Sequence, residues 1–166
     1  MKTEESIIRT EELVNYRRYK DKVIISGLGM IIFGAWSVVK VYMIYFFNAE
    51  EYLSDLAELK SGDEKQIAFI LLTVLSIWIF CWHFYVGITA VQEALKPKGK
   101  VAYIIFGWLL FLFTLFSLPS YFTSRPASKM TDTIFASAFS DLILSVILGQ
   151  LIYYSSAMKK IIKDGN

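Results

Sequence analysis

Four apolar blocks, at about residues 23–47, 67–92, 101–122 and 133–157, leave this chain few ways to fold. Each reaches the roughly 20 residues that a helix needs to cross the hydrocarbon core of a bilayer. Within that core the backbone must satisfy its own hydrogen bonds, so long apolar runs read as helices. A membrane β-barrel needs short segments of alternating polarity, and none occurs. The expected fold is all-α: an integral membrane four-helix bundle made of two transmembrane hairpins. Of the 166 residues 55% are hydrophobic and 19% charged, fewer charges than the roughly one quarter of an ordinary soluble domain.

The charges set the expected threading. Lys2, Arg9, Arg17, Arg18, Lys20 and Lys22 precede the first block, Lys96, Lys98 and Lys100 lie between the second and third, and Lys159, Lys160 and Lys163 follow the fourth. The other two connections carry only Lys60, Lys65, Arg125 and Lys129. Basic residues accumulate on the cytoplasmic side, so both termini are expected there, in a multi-pass protein of the plasma (cell inner) membrane. Tyr16 and Tyr19 would mark the inner interface, and Tyr42, Tyr45, Tyr121 and Phe122 the outer one. The chain then divides into a cytoplasmic juxtamembrane segment (1–22), the transmembrane domain (23–157) and a cytoplasmic tail (158–166).

The first 22 residues are charged and lack the short apolar core of a secretory signal peptide. They read as a separate short helix capped by Thr3. The acidic connection at 48–65 has Tyr52, Leu56 and Leu59 at helical spacing and an expected end at Ser61-Gly62-Asp63. "KDKV" at 20–23 and "KGKV" at 98–101 open the two hairpins, and "GITAVQEALK" and "YSSAMKKIIK" close them with a similar pattern. That echo fits a parallel duplication, although basic inner flanks also follow from the charge rule alone.

In lipid, small and polar residues mark the faces on which helices pack. The first block has Ser26, Gly29, Phe33, Ser37 and Lys40 in steps of three and four. The second has Thr73, Ser76, Phe80, His83, Gly87 and Ala90, and the fourth has Ser137, Asp141, Ser145 and Gly149. Gly29, Ser37, Ser137, Ser145 and Gly149 are the expected packing positions. The third block, with only Gly107, Thr114 and Ser117 among large apolar residues, reads as broadly lipid-exposed, Leu110 included. Pro119 removes a backbone donor near its end and is expected to kink it.

Lys40 lies about 7 Å outward of the middle of its block and Asp141 about 6 Å outward of the middle of its own. An unpaired charge at such depth costs at least ~2.5–3.5 kcal/mol. The equal heights make Lys40 and Asp141 an expected intramembrane pair. A lysine is also long enough to stretch toward the headgroups, but an aspartate is not. His83 and Gln150, both slightly inward of the middle, are expected to form a second polar layer. Either layer suits a relay for ions or protons, or a solute anchor, as well as a structural lock.

Other chemistry is not indicated. No HExxH, GxSxG or phosphate-cradling glycine loop occurs, so no catalytic residues and no cofactor are expected. Cys81 and His83 point to different faces of a helix, and no further Cys or His completes a metal shell. Glu93 has no evident partner. Basic residues that track the membrane edge do not suggest nucleic-acid binding. The expected function is an oligomeric transporter or channel for an ion or small solute, its partners the lipid bilayer and further copies of itself or another membrane protein. The alternative is a non-catalytic accessory or scaffold subunit of a larger membrane complex, docked through the aromatic third block.

Overall fold

The computed structural model describes residues 2–47, 62–123 and 132–164. Its elements are all helical: α1 (Lys2–Phe47), α2 (Gly62–Leu95), α3 (Ala102–Ser117), α4 (Ser120–Thr123) and α5 (Asp132–Asp164). The acidic connection, with the helix expected around Tyr52, Leu56 and Leu59, lies outside the described residues, although Gly62 and Asp63 already belong to α2. Three helices, α1, α2 and α5, are long and apolar enough to cross a membrane, whereas α3 has 16 residues.

α1 runs unbroken for 46 residues, a rise of about 69 Å. The juxtamembrane segment and the first apolar block are therefore one helix, and Thr3 sits inside it rather than capping it. The reason is local: no proline interrupts residues 2–47, and the glycines that would weaken an isolated helix are held here by close packing. α3 ends where the sequence removes a donor. Leu118 and Pro119 form a turn, and the chain restarts as the single-turn helix α4.

The three long helices and α3 form a ring in the order α1, α2, α3, α5. α1 packs most extensively on α2 and then on α5, α3 packs on α5, and the α2–α3 seam is the least extensive of the ring. The tightest approach is between α1 and α2. A Cβ at Gly87 would stand 2.6 Å from the Gly27 carbonyl oxygen, and one at Gly27 would stand 2.9 Å from the Gly87 carbonyl oxygen. Seven residues along α1, a Cβ at Gly34 would meet the Cβ of His83 at 2.7 Å. Backbone has replaced side chain at this contact, as in close helix pairs generally. Gly29, by contrast, meets only the side chain of Ile147 on α5, and Gly149 has ordinary contact space toward Phe111.

Val23, Met30, Val86, Ala90, Tyr103, Leu110, Leu144, Leu148 and Leu151 make up the core. Leu110 is thus corrected from lipid-exposed to buried, at 5% exposure. It follows Gly107 by three positions and shares that buried face. Its neighbours Leu109, Leu112, Phe113 and Phe116 are the exposed ones.

At the end of the bundle where α2 turns into α3, the chain is pinned through Glu93. Its carboxylate is buried, accepts the backbone N–H of Lys98 at 3.1 Å and lies 4.0 Å from Lys159 Nζ. Lys159 also donates to the Lys100 carbonyl and sits 5.3 Å from the centroid of the Tyr103 ring. The turn needs Gly99, whose φ of +75° is strained for any residue with a side chain.

Candidate functional site: an ion pair beside a largely apolar cleft

Lys40 reaches across the ring from α1 to α5. Its Nζ lies 2.6 Å from Asp141 Oδ1, and the two side chains are 14% and 8% exposed. Tyr121, on α4, completes the group: its hydroxyl donates to Asp141 Oδ2 at 2.7 Å and accepts from Lys40 Nζ at 3.2 Å. Both carboxylate oxygens therefore have a donor, and charge is balanced within the cluster. Ser145, one turn along α5, donates to the Asp141 backbone carbonyl at 2.9 Å, and Ser37 on α1 donates to the Phe33 carbonyl at 2.8 Å. These hydroxyls satisfy their own helices and leave the ion pair to its three members.

Tyr121 comes from α4, which follows the Leu118–Pro119 turn directly. Ser120 Oγ donates to the Ser117 carbonyl at 2.6 Å and the Tyr121 N–H donates to the Leu118 carbonyl at 3.3 Å, so the two helices are tied across the turn.

Beside the ion pair the helices form a cleft of about 290 Å³, open on one side. Ser37, Lys40 and Val41 of α1 wall it, with Ser76, Ile79 and His83 of α2, Leu110, Thr114 and Ser117 of α3, and Asp141 and Leu144 of α5. Trp78, Trp82 and Phe113 also line it. Trp78 and Phe113 are more than half exposed, so they mark the mouth, at the loose α2–α3 seam. The Trp82 ring meets Trp78 and Phe113 edge-on, at centroid distances of 4.9 and 6.1 Å. The volume is near the low end of small-molecule sites, roughly 300–1,000 Å³, and the mix of aromatic walls with a few polar groups is typical of them.

His83 belongs to this cavity and not to a second layer. It is 3% exposed, and its Nδ1 lies 2.8 Å from the Ile79 carbonyl oxygen of its own helix. A carbonyl only accepts, so Nδ1 carries the proton. Nε2 has no partner among the described residues, and neither does the buried Nε1 of Trp82. Gln150 is exposed and makes no bond to His83. The stripe Ser137, Asp141 and Ser145 is buried, so the residue after Gly149 turns outward on the helix. The structure thus brings Lys40, Asp141 and His83 to one cavity, lines it with Ser37, and sets Gly29, Ser137 and Gly149 apart from it.

Tyr121 and Trp82 are site residues that sequence reasoning missed. Tyr121 reads as an interface aromatic, and only its place two residues after Pro119 distinguishes it. Trp82 is one of several aromatics in α2 and carries no signal of its own. Comparison with known proteins yields no relatives: no protein family, no curated protein and no solved structure matches the chain.

Proposed function

We propose that this protein is a plasma-membrane transporter or channel for a small solute, working as a homo-oligomer. Four spans cross the bilayer, the third made of α3 together with α4, with both termini in the cytoplasm. The carrying observation is the cavity of about 290 Å³ with an ion pair on its wall. The Lys40–Tyr121–Asp141 cluster then closes the cavity on the outer side, and breaking its hydrogen bonds opens it. Because the cluster is neutral as a whole, opening does not strand a net charge in lipid.

The direct test is flux in proteoliposomes, across a panel of monovalent cations, chloride and small neutral solutes. At least one solute should cross faster than in protein-free vesicles. Thr114→Phe, which plugs the cavity without touching the ion pair, should abolish that flux while the unfolding midpoint stays close to wild type. Flux at background level for every solute would leave the accessory-subunit reading, which the exposed Leu112, Phe113 and Phe116 of α3 favour.

Threading is checked separately. Single cysteines at Ser61 and Lys98, in a Cys81→Ser background, should differ in labelling by an impermeant reagent on intact cells. Ser61→Cys reacts and Lys98→Cys does not; the opposite pattern would invert the topology.

A further inference from the structure

We infer that the end of the bundle where α2 turns into α3 binds one anionic phospholipid, its phosphate among Lys96, Lys98 and Lys100 and its glycerol-ester oxygens toward Thr89. A second cleft, of about 320 Å³, opens there. Thr89, Gln92 and Glu93 line it from α2, and Lys96, Lys98 and Lys100 line it from the turn. It is separate from the cleft beside Lys40, since Asp141 and Lys159, both on α5, stand roughly 27 Å apart at helical rise. The inference does not rest on transport.

Two observations carry it. The first is charge. Glu93, the carboxylate that lines the cleft, is already engaged by the Lys98 N–H at 3.1 Å and lies 4.0 Å from Lys159 Nζ. The ammonium groups of Lys96, Lys98 and Lys100 have no carboxylate at ion-pair distance among the described residues. The backbone that carries them is nevertheless fixed, by Glu93 at Lys98 and by Lys159 at the Lys100 carbonyl. Basic pockets between membrane helices at the headgroup level hold anionic lipid in this way. The second is a buried hydroxyl. Thr73, Ser76 and Thr114 each donate to the carbonyl four residues back in their own helix. Thr89, 6% exposed, makes no hydrogen bond among the described residues, yet its oxygen is not sealed in as those of Tyr103 and Ser155 are. A buried donor without an acceptor is costly, and the cleft is the way to it. Thr89 lies about 9 Å along α2 from Leu95, a depth comparable to the headgroup layer of roughly 5–7 Å. A phospholipid has its phosphate at the outer level of that layer and its ester oxygens at the inner one, so a single molecule answers both features.

The test is lipid titration of the full chain in non-ionic detergent, read by native mass spectrometry. Dioleoylphosphatidylglycerol should saturate one site per chain and bind at least about ten-fold tighter than dioleoylphosphatidylcholine. Lys96→Gln/Lys98→Gln/Lys100→Gln should weaken it at least about ten-fold, and Thr89→Val, which keeps the shape but lacks the hydroxyl, about five-fold. Arg17→Gln/Arg18→Gln/Lys22→Gln removes as much charge from exposed positions of α1 outside the cleft. It should leave the affinity within about two-fold, because charge outside the site acts only through a screened field. Each variant is compared at its unfolding midpoint in the same detergent, so that a loss of fold is not read as a loss of binding. Equal losses in the two triple variants would overturn the inference, since the attraction would then be diffuse. So would equal affinity for the two lipids, or wild-type affinity in Thr89→Val. Inorganic phosphate should fail to displace phosphatidylglycerol at equal concentration; displacement would overturn the lipid and leave a free phosphate as the ligand.

Discussion

Gly87→Ala destabilises the bundle, and Gly149→Ala does not. The added methyl at Gly87 would stand 2.6 Å from the Gly27 carbonyl oxygen and 2.8 Å from Ile31 Cγ1. The first obstacle is backbone, which cannot rotate away, so α1 and α2 must move apart over the whole contact. Overpacking of a close contact costs about 1–3 kcal/mol, and here it falls on the most extensive helix pair of the ring. At Gly149 the nearest atom is Phe111 Cε2 at 3.9 Å, ordinary contact distance. There the better helix propensity of alanine acts alone, and a change within about 0.5 kcal/mol is expected. Reversible unfolding in mixed micelles measures both. Equal effects at the two glycines would mean that α1 and α2 do not meet at Gly27 and Gly87. Gly87→Leu should prevent recovery of folded protein altogether.

That contrast also shows where sequence reading stops. The small-residue stripe on α1 runs through Ser26 and Gly29, yet the closest packing uses Gly27 and Gly34, seven residues apart on the neighbouring face. Spacing alone does not rank two such faces. Only the facing helix decides, and Gly87 on α2 meets Gly27. The helices themselves were legible because apolar length is a one-dimensional property. The reading of the N-terminal segment as a short helix of its own is overturned, because charge changes near residue 22 but helix propensity does not, and α1 continues through it. In α3 nearly every residue is large and apolar, so polarity offers no contrast by which to tell inside from outside. Leu110 faces the core only because Gly107 opens that side to α2 and α5, where its nearest neighbours are Val86 and Ile152.

The site divides the same way. Lys40 and Asp141 could be set at one height because depth follows from counting at helical rise. His83 was misassigned to Gln150 because depth was matched without azimuth: Asp141 and Ser145 face inward, and position 150 is rotated away from them. Tyr121 lies on a separate single-turn helix beyond Pro119, and its partners Lys40 and Asp141 are 81 and 20 residues away along the chain, which no local spacing rule connects.

Lys40→Met is expected to be the most damaging single change at the site. It leaves the Asp141 carboxylate 8% exposed with the Tyr121 hydroxyl as its one remaining side-chain donor among the described residues. Removing one member of a buried pair costs about 3–5 kcal/mol in soluble proteins, because the remaining charge is stranded. Asp141→Asn strands an ammonium instead, but a lysine has the reach to turn toward the outer headgroups. It is therefore the milder change. Lys40→Met/Asp141→Asn strands no charge and should be more stable than the sum of its parts. Couplings between polar groups in bilayers average only about 0.6 kcal/mol, so the cycle needs a reversible unfolding assay of that sensitivity. A coupling of zero would mean that the two side chains do not interact in the folded protein.

The same double variant separates a lock on the bundle from a working part of the site. Flux of the solute carried by the wild-type protein, measured with Lys40→Met/Asp141→Asn in proteoliposomes at matched unfolding midpoint, tests the central claim most directly. If the cluster of Lys40, Tyr121 and Asp141 opens and closes the cavity, the folded double variant loses control of it, and flux either stops or becomes an unsaturable leak. Saturable flux at the wild-type rate through a folded double variant would contradict the account and leave the ion pair as a structural tether.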